Sequence, residues 1–266
     1  MSESLDQALP TALPGAHSSS PAAAGGDGVV GGAVGVLFDV DDTLVDLRTA
    51  MRRALMVAAD ADLKGLDASE RERFAEAFSR DLEGYYDRYV AGELGFAEQR
   101  HLRLVAALNR WDRTTLSRPD EFSDVFEAEV VAGWRAFDDV DPVLDQLDLW
   151  NIPYGAVTNN LEAYQRNKLE RSGLARVAVV VGSDTTGAPK PDARSYLAGV
   201  SALGTRAEKT LMVGDNPGHD VAGALAAGLP ALLVDRFGRY PDQESVTGLT
   251  SVLDWASSFL GAAQGR

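Results

Sequence analysis

Apolar positions change their rhythm twice along this chain. Val34, Val36, Leu37 and Phe38 form a short apolar run behind a glycine-rich approach, and its length and β-branched content predict a buried strand. From about Leu47 to Trp134 apolar residues recur at helical spacing. Ala50, Ala54, Leu55, Val57 and Ala58 make one stripe, Phe74, Phe78 and Leu82 with Tyr85, Tyr86 and Tyr89 a second, and Leu102–Leu108 a third. Gly84, Gly92 and Gly95 punctuate a block that is helical throughout.

From Asp141 onward, helical patterns alternate with runs of strand length. A helix over Pro142–Leu149, with proline in its first turn, leads into the strand IPYGAVT, which ends at Thr158. Asn160 caps a helix over Leu161–Ser172 that Gly173 ends. The strand AVVVG, a helix over Asp192–Leu203, the strand TLMVG before Asp215, a helix over Val221–Ala227 and the strand PALLVD complete the series. Alternation of this kind builds βαβ units around a parallel sheet. The predicted fold class is therefore α/β: a Rossmann-like three-layer core over residues 32–46 and 137–266, interrupted by an all-helical domain over residues 47–136. Residues 1–31 are rich in Ala, Gly, Ser and Pro, which predicts a disordered low-complexity tail.

Composition narrows the partners. The 266 residues carry a net charge of −15 at a pI near 4.6, which argues against broad binding to nucleic acid or acidic membranes. No apolar run reaches membrane-spanning length. The N-terminus has neither a basic start nor a continuous apolar segment, so no secretory signal is expected. The absence of cysteine excludes disulfides and thiolate metal sites and fits a reducing cytoplasm.

Candidate chemistry lies where the strands end. Four carboxylates follow the first apolar run within eight residues: Asp39, Asp41, Asp42 and Asp46. Asp39 and Asp41 point the same way on an extended chain, and like charges so close call for a cation or a shared proton. A hard divalent ion, Mg²⁺, suits that pair. An ordinary acidic turn is the plainer explanation of the stretch alone. An EF-hand loop is excluded, because its sixth position would be Leu44 and its twelfth Ala50. Thr158 and Asp215 end two further strands, and Lys190 opens a helix after a fourth. In parallel sheets, ligands gather at the carboxyl ends of strands, so these residues are expected to share one site.

These residues resemble the motifs of the haloacid dehalogenase superfamily, most of whose members are Mg²⁺-dependent phosphatases. Asp39-Val-Asp-Asp-Thr43 matches its first motif and Thr158 its second. Lys190-Pro-Asp192 matches the third, and Gly214-Asp215-Asn-Pro-Gly-His-Asp220 the fourth. A helical insertion between the first two motifs looks like the cap of the first subgroup. The resemblance implies a phosphatase acting on a small phosphorylated metabolite, such as a sugar phosphate, a nucleotide or a phosphoglycolate-like compound, as a monomer or homodimer. It makes Asp39 the nucleophile that forms an aspartyl-phosphate and Asp41 the general acid and then base, with Asp41 raised in pKa relative to Asp39. Thr158 and Lys190 would bind and neutralise the phosphoryl group, and Asn159 would reach phosphate or substrate. Mg²⁺ would be held by Asp39, the Asp41 carbonyl and Asp215, with Asp220 and Thr43 supporting from behind. Arg100 and Arg103 are the basic residues of the cap that would meet the substrate, unless they lie on a solvated helix face. His219 reads as a capping or packing residue. A 2-haloacid dehalogenase and a sugar phosphomutase are the alternatives within the superfamily. The dehalogenases lack the second aspartate that Asp41 supplies here. A phospho-ligand binding protein without turnover is the alternative from another class.

Overall fold

The first apolar run forms strand β1, Gly35–Phe38, buried along its whole length. In this computed structural model, residues 34–113 and 116–260 are described, and the tail expected over residues 1–31 lies outside them. Five strands form one parallel sheet in the order β3-β2-β1-β4-β5, with β2 at Tyr154–Val157, β3 at Val179–Val181, β4 at Thr210–Gly214 and β5 at Ala231–Leu233. Phe38 stands opposite Ala156 on one side and Val213 on the other. The strand order reverses between β1 and β4, which is where doubly wound sheets bind ligands.

Between β1 and β2 the chain is helical: α1 (Leu47–Ala58), α2 (Ala68–Arg80), α3 (Tyr85–Val90), α4 (Phe96–Asn109), α5 (Pro119–Gly133) and α6 (Val140–Leu149). Then come α7 (Glu162–Arg171), α8 (Ser183–Thr186), α9 (Ala193–Leu203), α10 (Gly223–Ala226) and α11 (Thr250–Leu260). The chain divides into two units, Arg48–Gly133 and the sheet-bearing remainder. In the sheet-bearing unit, Leu37, Val157, Val181, Tyr196, Val200 and Met212 form a buried cluster that joins α9 to the strands. At about 25 cal/mol per Å² of apolar surface removed from water, clusters of this kind carry most of the folding energy.

In the helical unit, Phe74, Phe78, Leu104, Leu108, Phe122 and Phe126 are buried, and Phe78 meets Phe126 edge to face at 5.6 Å. The second predicted stripe breaks where the sequence suggests continuity. Asp81 takes a left-handed φ of 46° and ends α2, and its carboxylate accepts from the Tyr85 and Tyr86 amides at 3.1 and 2.7 Å. One side chain thus stops one helix and starts the next, leaving Leu82 exposed. The helix expected over Val221–Ala227 also differs. A π-helical turn over Pro217–Ala222 precedes the short α10, because the Asn216 side chain accepts from the Gly218 and His219 amides, both at 2.9 Å. The amphipathic α11, which buries Val252 and Ala256, extends the fold past the last predicted strand. Among the described residues, no helix is long and apolar enough to cross a membrane.

Candidate active site

The carboxyl ends of β1 and β4 release their chains side by side, and three aspartates converge there. Asp39 follows β1 directly, its amide donating to the Val213 carbonyl at 2.8 Å, and Asp215 follows β4. Asp220 returns on the π-helical turn. A Cβ at Gly214 would collide with the Asp220 carboxyl, so only glycine lets that carboxylate lie against the strand end. One carboxylate oxygen from each of Asp39, Asp215 and Asp220 lies within 4.8 Å of the others.

Lys190 enters the same cluster. Its ammonium is buried and donates to Asp39 Oδ1 and Asp220 Oδ1, both at 2.6 Å. Asn159 fixes that lysine through a reciprocal pair: Asn159 Oδ1 accepts from the Lys190 amide at 2.6 Å and Nδ2 donates to the Lys190 carbonyl at 3.0 Å. Both polar ends of Asn159 are therefore spent on the Lys190 backbone, where the sequence placed them on phosphate or substrate. Asp220 Oδ2 accepts from the Asn216 amide at 2.9 Å, so both of its oxygens are engaged.

Asp41 lies to the other side of β1, half-buried, and is gripped at both oxygens. Oδ1 pairs with Lys168, and Oδ2 accepts from Gln165 Nε2 at 2.8 Å. The same Gln165 nitrogen donates to Thr158 Oγ1 at 3.0 Å. Thr158 Oγ1 also accepts from the Asn160 amide at 3.2 Å. Thr43 contributes through its backbone. Its carbonyl accepts from Arg236 Nε and Nη2 at 3.1 and 2.9 Å, while its buried hydroxyl has no partner. Asp42, at φ 59°, occupies a left-handed turn position that aspartate tolerates better than most side chains.

Electrostatics mark the cluster. Burial, reinforced by Asp220 and Asp41, pushes the Asp39 carboxyl up to about 7 against the pull of Lys190. Asp39 is the more deeply buried of the two carboxylates that follow β1. Burial likewise drives Asp215 well above the usual carboxylate range, with Asp39 and Asp42 adding to it and Arg239, its ion-pair partner, opposing. For Lys190, burial pulls downward, but Asp220 and Asp39 outweigh it and the net shift is upward.

A divalent cation fits this chemistry. The donors that converge are carboxylate oxygens, as Mg²⁺ requires, and three carboxylates, Asp39, Asp215 and Asp220, meet there against two cations, Lys190 and Arg239. Lys190 takes Oδ1 of Asp39 and Arg239 takes Oδ2 of Asp215, so each carboxylate retains a second oxygen for an ion.

Arg100 and Arg103 are committed within the helical unit. Arg103 is buried on α4, donating to the Phe78 carbonyl from Nε at 3.1 Å and Nη2 at 2.9 Å. Arg100 pairs with Glu127 and stacks on Phe96 at 4.1 Å. His219 is held by backbone contacts: its amide donates to Asn216 and its carbonyl accepts from the Tyr196 hydroxyl. Four side chains of the cluster escaped sequence reasoning: Lys168, Gln165, Arg236 and Arg239. For the first two a signal exists. Gln165, Lys168 and Leu169 are the buried face of α7 at i, i+3 and i+4, a stripe that apolar periodicity misses because two of its three members are polar.

Comparison with known proteins identifies the family of the chain. A model of the haloacid dehalogenase-like hydrolase family matches residues 34–228. A phosphoglycolate phosphatase of Rhodospirillum rubrum is 31% identical over 222 residues, covering 82% of this chain and 86% of its own length. A glyceraldehyde 3-phosphate phosphatase of Methanopyrus kandleri is 31% identical over 221 residues, covering 79% and 86%. Among solved structures, the magnesium-bound HAD-hydrolase YfnB of Bacillus subtilis superposes with a TM-score of 0.68 at 20% identity, covering 85% of this chain and 99% of that one.

Proposed function

This chain belongs to the haloacid dehalogenase-like hydrolase family and is a hydrolase of phosphoric monoesters, and on that premise we propose that it cleaves a small phosphorylated metabolite through an aspartyl-phosphate on Asp39, with Mg²⁺. The relatives act on phosphoglycolate and glyceraldehyde 3-phosphate, so short phosphorylated acids and sugars are the substrates to try first. The cysteine-free composition supports a cytoplasmic setting.

The observation that carries the mechanism is the convergence of Asp39, Lys190 and Asp220 at one strand end, with Asp41 two residues on. An oxygen of the Asp39 carboxylate attacks phosphorus, and the bond from phosphorus to the leaving oxygen breaks. Asp41 gives that oxygen a proton, then takes one from the water that attacks the phospho-aspartate, releasing inorganic phosphate and restoring Asp39. Lys190, fixed by Asn159, offsets charge on the phosphoryl oxygens, and the Thr158 hydroxyl donates to one of them. Asp39, the Asp41 carbonyl and Asp215 would hold the cation, whose chemistry is to neutralise charge between nucleophile and phosphate. Asp220 orients Lys190 and the Asn216 turn. Arg100 and Arg103 are given structural roles in the cap, since their guanidinium groups are satisfied there.

The test is hydrolysis of p-nitrophenyl phosphate with Mg²⁺ and with excess chelator, followed by acid quench of enzyme mixed with ³²P-labelled substrate. Wild-type enzyme should lose turnover in chelator and carry acid-stable label, and Asp39→Asn should do neither chemistry nor labelling while keeping its fold. A labelled Asp39→Asn enzyme, or turnover unaffected by chelator, would sink the assignment.

A further inference from the structure

Two side chains grip Asp41, and neither has a role in the steps above. Lys168 lies on α7 with its side chain 1% exposed, facing an Asp41 side chain that is 24% exposed. Its ammonium stands 5.4 Å from the centre of the Trp134 ring and 5.2 Å from that of Tyr164. Those two rings meet edge to face at 5.5 Å, forming a rigid aromatic wall that favours a cation. Gln165, one turn earlier on the same face, is fully buried. Its amide nitrogen spends one proton on Asp41 Oδ2 and the other on Thr158 Oγ1, while its carbonyl oxygen has no partner. The amide orientation is therefore set by the nitrogen, because the flipped amide would press oxygen against a carboxylate.

We propose that Lys168 and Gln165 are positioning residues for proton transfer: together they fix the rotamer of Asp41, and Gln165 also frees the Thr158 proton for the phosphoryl group. A buried ion pair is weak evidence for stability, since desolvation consumes most of its Coulomb gain. Here the burial is one-sided. The lysine is enclosed and the carboxylate reaches solvent, which is the arrangement that holds a reactive group from behind. With both Asp41 oxygens bound, its χ1 and χ2 have little freedom left, and proton transfer depends on such placement to a fraction of an ångström. Thr158 Oγ1 accepts from both Gln165 Nε2 and the Asn160 amide. Its two lone pairs are thereby occupied, and its own proton is left to donate.

The inference rests on Asp41 being the proton-transfer group, and the experiment separates the two claims. First-turnover release of leaving group is followed for p-nitrophenyl phosphate, whose phenolate leaves without a proton, and for benzyl phosphate, whose alkoxide needs one. Asp41→Asn, Lys168→Met and Gln165→Leu are compared with wild type. Each should lose about tenfold or more in excess on benzyl phosphate over its loss on p-nitrophenyl phosphate. Equal losses on both substrates for Lys168→Met and Gln165→Leu, or none on either, overturn the positioning role provided Asp41→Asn discriminates. If Asp41→Asn itself fails to discriminate, its assignment as the acid falls. Should Lys168→Met not fold by circular dichroism, Gln165→Leu decides alone.

Discussion

Two buried lysines flank the end of β1, and they answer two aspartates in different ways. Lys190 lies between Asp39 and Asp220, whose side chains are 11% and 2% exposed, at 2.6 Å from each. Lys168 meets one carboxylate, Asp41, and leans on two aromatic rings. The first arrangement is surplus negative charge around one cation. The second is one cation for one carboxylate, closed on the protein side and open on the other. The same residue type therefore compensates charge in one place and aims a side chain in the other. In the proposed mechanism, neutralisation is needed where the phosphoryl group would bind, and orientation where the proton would move.

The sharpest way to break that contrast is to remove each ammonium. Lys190→Met leaves Asp39 and Asp220 buried without their shared partner, which should cost about 3 kcal/mol in stability and on the order of a hundredfold or more in kcat. Lys168→Met strands a single carboxylate with access to water, so its stability loss by chemical denaturation should be the smaller of the two. Equal losses would mean that the two lysines do the same work. A pH series sharpens the point. The folded Asp39 titrates at about 7, above its ordinary value of 3.8, so the native state holds that proton more tightly than the unfolded chain. Its contribution to stability is complete below about 3.8 and is lost as pH rises through about 7. In chelator, Asp39→Asn should gain in melting temperature over wild type between pH 5 and pH 8. A difference that does not change with pH would show that Asp39 ionises at its ordinary value when folded.

The contrast also marks where sequence ceased to be informative. Asp39, Asp41, Thr158, Lys190 and Asp215 were legible because each follows a strand or opens a helix in an alternating pattern, and strand ends in a parallel sheet gather in space. Asp220 was legible only through the resemblance of residues 214–220 to a family motif. The sheet itself was legible for the same reason. Lys168 and Gln165 were not, because a charged or amide residue in a helix pattern is assigned to solvent, and burial of a lysine depends on a carboxylate supplied from 127 residues away. Arg239 and Arg236 follow β5 in a stretch with no periodicity, and their partners Asp215, Thr43 and Asp139 come from three other segments. Asn159 was placed near the site, yet its partner is the Lys190 backbone, and motif spacing says nothing of which atom an amide meets. The break in the second helical stripe turned on one residue, Asp81, whose left-handed φ is a property of the folded turn.

Arg103 carries the smallest expected effect on chemistry. It is a third buried cation, and its contacts are carbonyls: Phe78 O from two nitrogens, with Ser79 O at 3.4 Å, while the carboxylate of Asp81 stays 3.9 Å away. Burial lowers its pKa, with Asp81 opposing, and its guanidinium lies 4.7 Å from the centre of the Phe78 ring. Such a group ties α4 to the end of α2, where α2 has run out of intrahelical partners for its last carbonyls. Arg103→Met keeps the apolar stem and removes the donors, so it should cost about 2 kcal/mol in unfolding free energy and leave KM and kcat for p-nitrophenyl phosphate within about threefold of wild type. Arg103→Lys should recover part of the stability, since one ammonium can reach the same carbonyl but cannot fork across it. A KM raised about tenfold with no change in stability would place Arg103 on the substrate instead, and would make the cap, like the strand ends, a region where a buried cation serves the phosphate.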